Sequence, residues 1–116
     1  MRILVVDDNR TSADALARAL KKRGDEAEAV YDGATAILKM QDDTPDLILT
    51  DLRMEPVDGL TVLRAAREHR PPIEVIVFTA YGAIETAVQA MQLGARDFLT
   101  KPVTLEQLIR RVRSEE

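Results

Sequence analysis

Residues 47–59 read LILTDLRMEPVDG. Leu47 to Thr50 form a short run suited to burial, and the run stops on a charged carboxylate, Asp51, before an irregular stretch holding Glu55 and Pro56. A strand without a polar face belongs in a parallel sheet covered by helices on both sides. A polar group at its carboxyl end then falls where such sheets bind ligands.

Outward from this segment the chain alternates between strand-like and helix-like stretches five times. Ile3 to Val6 is a β-branched apolar run, Glu26 to Val30 a weaker alternating one, Ile73 to Phe78 a second buried run and Asp97 to Thr100 a short last one. Between them, apolar residues recur at helical spacing: Ala13, Leu16, Ala17 and Leu20 before the stop at Gly24, then residues 34–40. Leu60, Leu63 and Ala66 precede Pro71 and Pro72, which cannot continue a helix. Ile84, Ala87, Val88 and Met91 make a fourth apolar helical stripe, and Leu105, Leu108, Ile109 and Val112 a fifth. Buried strands alternating with helices predict right-handed parallel crossovers. The expected fold is a flavodoxin-like, doubly wound (βα)5 sandwich with strand order 2-1-3-4-5, its least apolar strand, the second, at an edge.

Composition narrows the chemistry. With 116 residues, one domain spanning 1–116 is expected. The chain is 46% apolar and 31% charged with a net charge of -4, a globular balance without the basic excess of a nucleic-acid surface. There is no cysteine and one histidine, His69, which excludes disulfides, thiolate chemistry and the common zinc sites. The opening MRILVVDDN is apolar too briefly for a signal-peptide core or a membrane span, so a cytoplasmic location is expected.

In the expected fold four neighbouring strands deliver polar groups to one rim: Asp7 and Asp8 after the first, Asp51 after the third, Thr79 after the fourth, and Lys101 with Pro102 after the fifth. Singly, each has an ordinary reading: Asp8 with Asn9 as a helix cap, Thr79 as a turn hydroxyl, Lys101 as a solvated side chain, Asp51 as a loop acid. Their joint placement is harder to explain that way. Three carboxylates exceed one ammonium by two charges, and each like-charge pair at about 4 Å costs roughly 4 kcal/mol at an effective dielectric of about 20. A divalent cation removes the excess, and an all-oxygen donor set favours Mg2+. A carboxylate beside a metal and a lysine is also placed to attack phosphorus. The added phosphoryl charge calls for new donors, which Thr79 and the backbone amides of the loop that begins at Ala80 can supply.

These segments, ILVVDDN, DLILTDLRMEPVDGL, VIVFTAYG and GARDFLTKP, together resemble the receiver domain of bacterial two-component response regulators over essentially the whole chain. The stretch TAYGAIETAVQAMQLGARDFLTKPV is similar in particular to receivers of nitrogen-regulation-type, sigma-54-dependent activators. The resemblance implies a phosphorylation-activated switch in which Asp51 accepts a phosphoryl group from a histidine kinase. It implies that Asp8, Asp51 and the backbone carbonyl of Arg53 hold Mg2+, with Asp7 acting largely through water. Lys101 and Thr79 would contact the phosphoryl oxygens, and the Lys101–Pro102 peptide would be cis. Phe98 falls at the position of the family's switch aromatic, while Arg53, Ala80 and Tyr81 fall where switching and phosphorylation rates are tuned.

The quoted stretch also departs from the family pattern. Receivers of this type usually read Met-Pro-x-Met-Asp-Gly here, whereas this chain has Met54, Glu55, Pro56, Val57, Asp58 and Gly59. Proline forces its predecessor toward extended conformations, so a different loop path is expected, with Glu55 as a fourth acid near the pocket and Asp58 as the cap of the third helix.

For the output, the resemblance implies that the fourth helix, fifth strand and fifth helix form a surface read by an effector domain, a downstream protein or a second copy of the chain. Arg96, Asp97, Glu106, Arg110, Arg111 and Arg113 make that region mixed and mildly basic, which also suits a merely solvated face. No helix-turn-helix is left unassigned, so no direct nucleic-acid contact is expected, and the chain reads either as a stand-alone receiver or as part of a longer regulator. Three other readings compete. An aspartate-nucleophile phosphohydrolase needs Asp-x-Asp after the first strand, which VVDDNR lacks. A flavodoxin-type phosphate binder needs a Gly/Ser/Thr-rich loop where DDNRTS begins with two acids. A degenerate receiver that works without phosphorylation would not need the full acid, threonine and lysine set.

Overall fold

The computed structural model describes residues 1–80 and 84–114. Strands β1 (Arg2–Val6), β2 (Glu26–Val30), β3 (Leu47–Asp51), β4 (Glu74–Thr79) and β5 (Asp97–Thr100) alternate with helices α1 (Arg10–Lys22), α2 (Gly33–Asp42), α3 (Gly59–Glu68), α4 (Ile84–Gln92) and α5 (Leu105–Arg113). The sheet is parallel with order β2-β1-β3-β4-β5, the flavodoxin-like winding expected from the sequence, and β2 lies at an edge. Asp51 is the last residue of β3 itself, all five of whose residues are buried.

Alternate strand residues feed two cores. Leu4, Val6, Ile48, Val75 and Val77 meet Ala36 and Met40 of α2, Val62, Leu63 and Ala66 of α3, and Ala90 of α4. Ile3, Val5, Leu49, Ile76 and Phe78 face Ala13, Leu16 and Leu20 of α1 and Leu108 and Val112 of α5. Thus α1 and α5 cover one face and α2, α3 and α4 the other. The starts of α1, α2, α3 and α5 are each satisfied by a short polar side chain that takes up an otherwise orphaned backbone N–H. Asn9 caps α1, Asp32 caps α2 and Asp58 caps α3, while Thr104 and Gln107 form a reciprocal capping box on α5. Gly24 and Gly94 close α1 and α4 with φ near 100°, a conformation open to glycine without strain.

The fourth helix differs from its expected packing. Ile84, Val88 and Met91, which define its apolar stripe in the sequence, are exposed, and among the described residues of α4 only Ala90 is buried. The helix approaches the sheet through its small side chain, so the larger ones are turned to solvent.

Where β3 leaves the sheet the backbone is tightly folded. The Gly59 N–H donates to the Leu52 carbonyl at 3.0 Å. A Cβ on Gly59 would collide with the Asp51 carbonyl oxygen and lie 2.6 Å from Leu52 Cα. Both obstacles are backbone and neither can swing aside. Gly59→Ala should therefore destabilise the domain by about 2–4 kcal/mol, measured by urea unfolding. A loss under about 0.5 kcal/mol would mean that the Asp51–Gly59 approach is looser than described.

Candidate functional site

Strand register brings the polar residues into one place. Val6 pairs with Thr50, Asp51 with Phe78, and Thr79 with Thr100, so β1, β3, β4 and β5 end in step. The ladder continues past the strand ends: Asp7 N–H donates to Val30 O at 3.2 Å, Leu52 N–H to Phe78 O at 3.0 Å, and Lys101 N–H to Thr79 O at 2.8 Å. Obligatory backbone pairing therefore fixes where the functional side chains start.

Asp7, Asp8 and Asp51 each offer a carboxylate oxygen, all lying within 4.8 Å of one another. Asp7 and Asp51 are buried, and Asp8 is exposed. The Lys101 ammonium donates to Asp51 Oδ2 at 3.0 Å and to Asp7 Oδ2 at 3.4 Å. The Asn9 N–H donates to Asp7 Oδ1 at 3.0 Å and the Arg53 N–H to Asp51 Oδ1 at 3.1 Å. Thr79 is fully buried at the end of β4, and the Lys101–Pro102 peptide is cis.

The electrostatics follow from this packing. Burial pushes the Asp7 carboxyl above the usual aspartate value; the Asn9 N–H and the Lys101 charge pull it down, the neighbouring Asp51 pushes it further up, and the net shift is upward. Burial alone would lower Lys101, but hydrogen bonding and charge from Asp51, then Asp7, outweigh it and hold the ammonium above the ordinary lysine value. One ammonium thus serves two carboxylates, and the upward direction for Asp7 agrees with its near-zero exposure and its second acidic neighbour. The three hard oxygens fit a divalent cation of the Mg2+ or Ca2+ type, whose charge would offset the excess.

The remaining sequence candidates divide. Glu55 is exposed and lies outside the carboxylate trio, though it shares with Asp8, Arg53 and Asp58 an open cleft of about 600 Å³. Arg53 and Ala80 are exposed, and Phe98 is half-buried against the core on the α3 and α4 side. Tyr81 lies outside the described residues. Sequence reasoning missed Phe78, whose ring centroid is 5.3 Å from Lys101 Nζ. It also missed Arg10, stacked 4.2 Å from the Tyr31 ring, whose hydroxyl donates to Asp14 at 2.6 Å. Only the period-2 alternation of β4, which puts Phe78 on the α1 and α5 face, hinted at the first contact.

Residues 3–113 match the family profile described as the response regulator receiver domain. This chain belongs to that family. The receiver is 42% identical over 100 residues to the photosynthetic apparatus regulatory protein RegA of Rhodobacter capsulatus, covering 86% of this chain and 54% of RegA. It is 39% identical over 107 residues to the regulatory protein AtoC of Escherichia coli, covering 92% of this chain and 23% of AtoC. The crystal structure of the NtrX receiver domain from Brucella abortus superposes with a TM-score of 0.88 at 33% identity, covering 97% of this chain and 96% of that one. AtoC and NtrX carry the likeness to sigma-54-type activators. The receiver spans about half of RegA and under a quarter of AtoC. No helix among its described residues is long and apolar enough to cross a membrane. The receiver is a domain of two-component signalling.

Asp7 gives the site a stability signature. A carboxyl whose pKa is higher folded than unfolded favours the native state below its unfolded value, near 3.9, and that advantage is lost as pH rises through the folded value. At neutral pH the ionised Asp7 is therefore a cost. Asp7→Asn keeps the acceptor for the Asn9 N–H and removes the charge, so without divalent cations it should stabilise the domain by about 1 kcal/mol at pH 7–8. The gain should fade as pH falls through the folded Asp7 pKa. Thermal melts of both proteins in chelator across pH 4–8 test this, and a destabilised Asp7→Asn at pH 7 would contradict it.

Proposed function

We propose that this receiver is a phosphorylation-activated switch in which Asp51 accepts a phosphoryl group from a histidine kinase with Mg2+ present. The observation that carries the reading is the Lys101 ammonium, shared between Asp51 and Asp7 at 3.0 and 3.4 Å beside a third carboxylate. Asp7, Asp8, Asp51 and the backbone carbonyl of Arg53 would hold Mg2+, which, when bound, supplies the positive charge that lets a dianionic phosphoryl group approach three acids. An Asp51 carboxylate oxygen forms the new bond to phosphorus as the phosphorus–nitrogen bond of the phosphohistidine breaks and the imidazole leaves. Lys101 moves its hydrogen bond from the Asp51 carboxylate to a phosphoryl oxygen, staying close to its starting position.

Phosphorylation adds negative charge at the rim, and Thr79 with the Ala80 N–H answers it. The loop after β4 is drawn toward Asp51, Phe98 repacks, and α4, β5 and α5 present an altered surface. Several features support that surface as the output: Ile84, Val88 and Met91 on α4 and Leu105 on α5 are exposed, and Arg111 pairs with Asp97 at 2.7 Å beside them. The reader of this surface is an effector domain, a downstream protein or a second copy of the chain, within a cytoplasmic transcriptional regulator of the RegA or AtoC kind. The domain itself contacts no nucleic acid or membrane. Tyr81 and Arg53 tune the rates, and Glu55, in the cleft beside Asp8, weakens binding of the phosphoryl group by its charge. The domain assists its own phosphorylation and dephosphorylation without turning over a small-molecule substrate.

Incubation with Mg2+ and acetyl phosphate, followed by intact-mass analysis, should add one phosphoryl group per wild-type chain, none with a chelator and none to Asp51→Asn. Continued phosphate release from small esters would point to a hydrolase, and modification at another residue would remove Asp51 from its role. Glu55→Ala should bind a phosphoryl mimic more tightly than wild type in a fluorescence or calorimetric titration. Equal affinities would leave Glu55 as a solvated loop acid.

A further inference from the structure

The Lys101 ammonium has a third neighbour that the switch reading does not use. Phe78 is the penultimate residue of β4, the register partner of Asp51 on one side and of Leu99 on the other. Its carbonyl accepts the Leu52 N–H at 3.0 Å, so its backbone is tied to the segment that carries the phosphoacceptor. The side chain is 3% exposed and packs among the residues between the sheet and α1 and α5. The same ring centroid lies 5.3 Å from Lys101 Nζ.

We propose that Phe78 is a positioning residue for the phosphoryl-transfer step: its aromatic face supports the Lys101 ammonium and keeps it between Asp51 and Asp7. The ammonium has three N–H groups, and two of its surroundings are the carboxylates at 3.0 and 3.4 Å. A ring face carries partial negative charge and attracts a cation without taking a full hydrogen bond from it. An aliphatic side chain at the same place would give contact but no such attraction. The need for support is visible in the packing. Phe78, Lys101 and Asp7 line one cavity of about 290 Å³ that runs between α1 and α5. A long, flexible lysine beside open space has other rotamers available, and fixing one side chain in one pose costs conformational entropy. The ring biases that choice toward the pose that meets the phosphoryl oxygens. Phe78 does this without touching the reacting atoms, so it acts through Lys101.

The inference rests on the proposed phosphorylation of Asp51 for its kinetic consequence, but the contact itself exists in the unmodified protein. Two measurements therefore test it. In NMR spectra of the unmodified wild type, the Lys101 ε-methylene protons should be shifted upfield by the Phe78 ring current, and Phe78→Leu should return them to the usual lysine position. Phenylalanines fluorinated stepwise on the ring, placed at position 78 alone, keep the shape while draining the negative face. The rate of Asp51 phosphorylation by acetyl phosphate should fall stepwise along that series, to about one-third at the trifluorinated ring. Thermal stability should stay level across the series, which a merely structural role could not combine with a falling rate. An ε-methylene shift unaffected by Phe78→Leu, or a rate that stays level across the fluorinated proteins, overturns the proposal. If wild-type Asp51 takes no phosphoryl group at all, the switch reading fails, and the ε-methylene shift alone decides whether the ring holds Lys101.

Discussion

Parallel strand register forces like charges together here, and the rest of the structure depends on that constraint. Hydrogen-bonded ladders end β1, β3, β4 and β5 in step, so Asp7, Asp51, Thr79 and Lys101 start from adjacent points on one rim. A fold relaxing toward lowest electrostatic energy would separate Asp7, Asp8 and Asp51; the backbone, whose N–H and C=O groups must pair when buried, does not permit it. The conflict is relieved only in part by Lys101. What remains unbalanced is an affinity for positive charge.

The helices around that rim are held with different firmness, even where they share one face of the sheet. At α3, Gly59 lies against the backbone of Asp51 and Leu52, and Val62, Leu63 and Ala66 are buried, so the segment after Asp51 is tightly held. In α4, Ala90 is the only buried residue among those described, and three large apolar side chains face solvent. At roughly 25 cal/mol per Å² of apolar surface, a helix held through one small side chain has little burial to lose if it shifts. Helix α4 would therefore yield to a displacement at the end of β4 more readily than α3. Helix α5 is held in between, through Leu108 and Val112 and the Arg111–Asp97 ion pair.

Much of this was legible in the sequence. Five buried runs alternating with helical periodicity specify the parallel sandwich, and acids, a threonine and a lysine at successive strand ends specify the rim, because strand order follows from connection rules and side-chain position from strand ends. The exposed face of α4 was not legible: an apolar stripe on a helix reads as buried whether it meets the core or a partner, and the inward use of Ala90 appears only in three dimensions. Nor was the Phe78 contact, since a phenylalanine in a buried strand already has a sufficient reason to be there. Sequence could not decide whether Glu55 joins the carboxylates; it stands in the neighbouring cleft instead. Contacts set by the backbone ladder were readable, and contacts set by side-chain rotamers were not.

The central claim is that the carboxylate trio with Lys101 and Thr79 forms one phosphoryl-responsive unit. Amide NMR spectra recorded with Mg2+ before and after addition of beryllofluoride, on wild type and Asp51→Asn, test it most directly. The account predicts shifts in wild type that spread from residues around Asp51 through Thr79 and Lys101 to α4 and β5, and an unchanged spectrum for Asp51→Asn. Equal spectral changes in both proteins, or none in wild type, would contradict it.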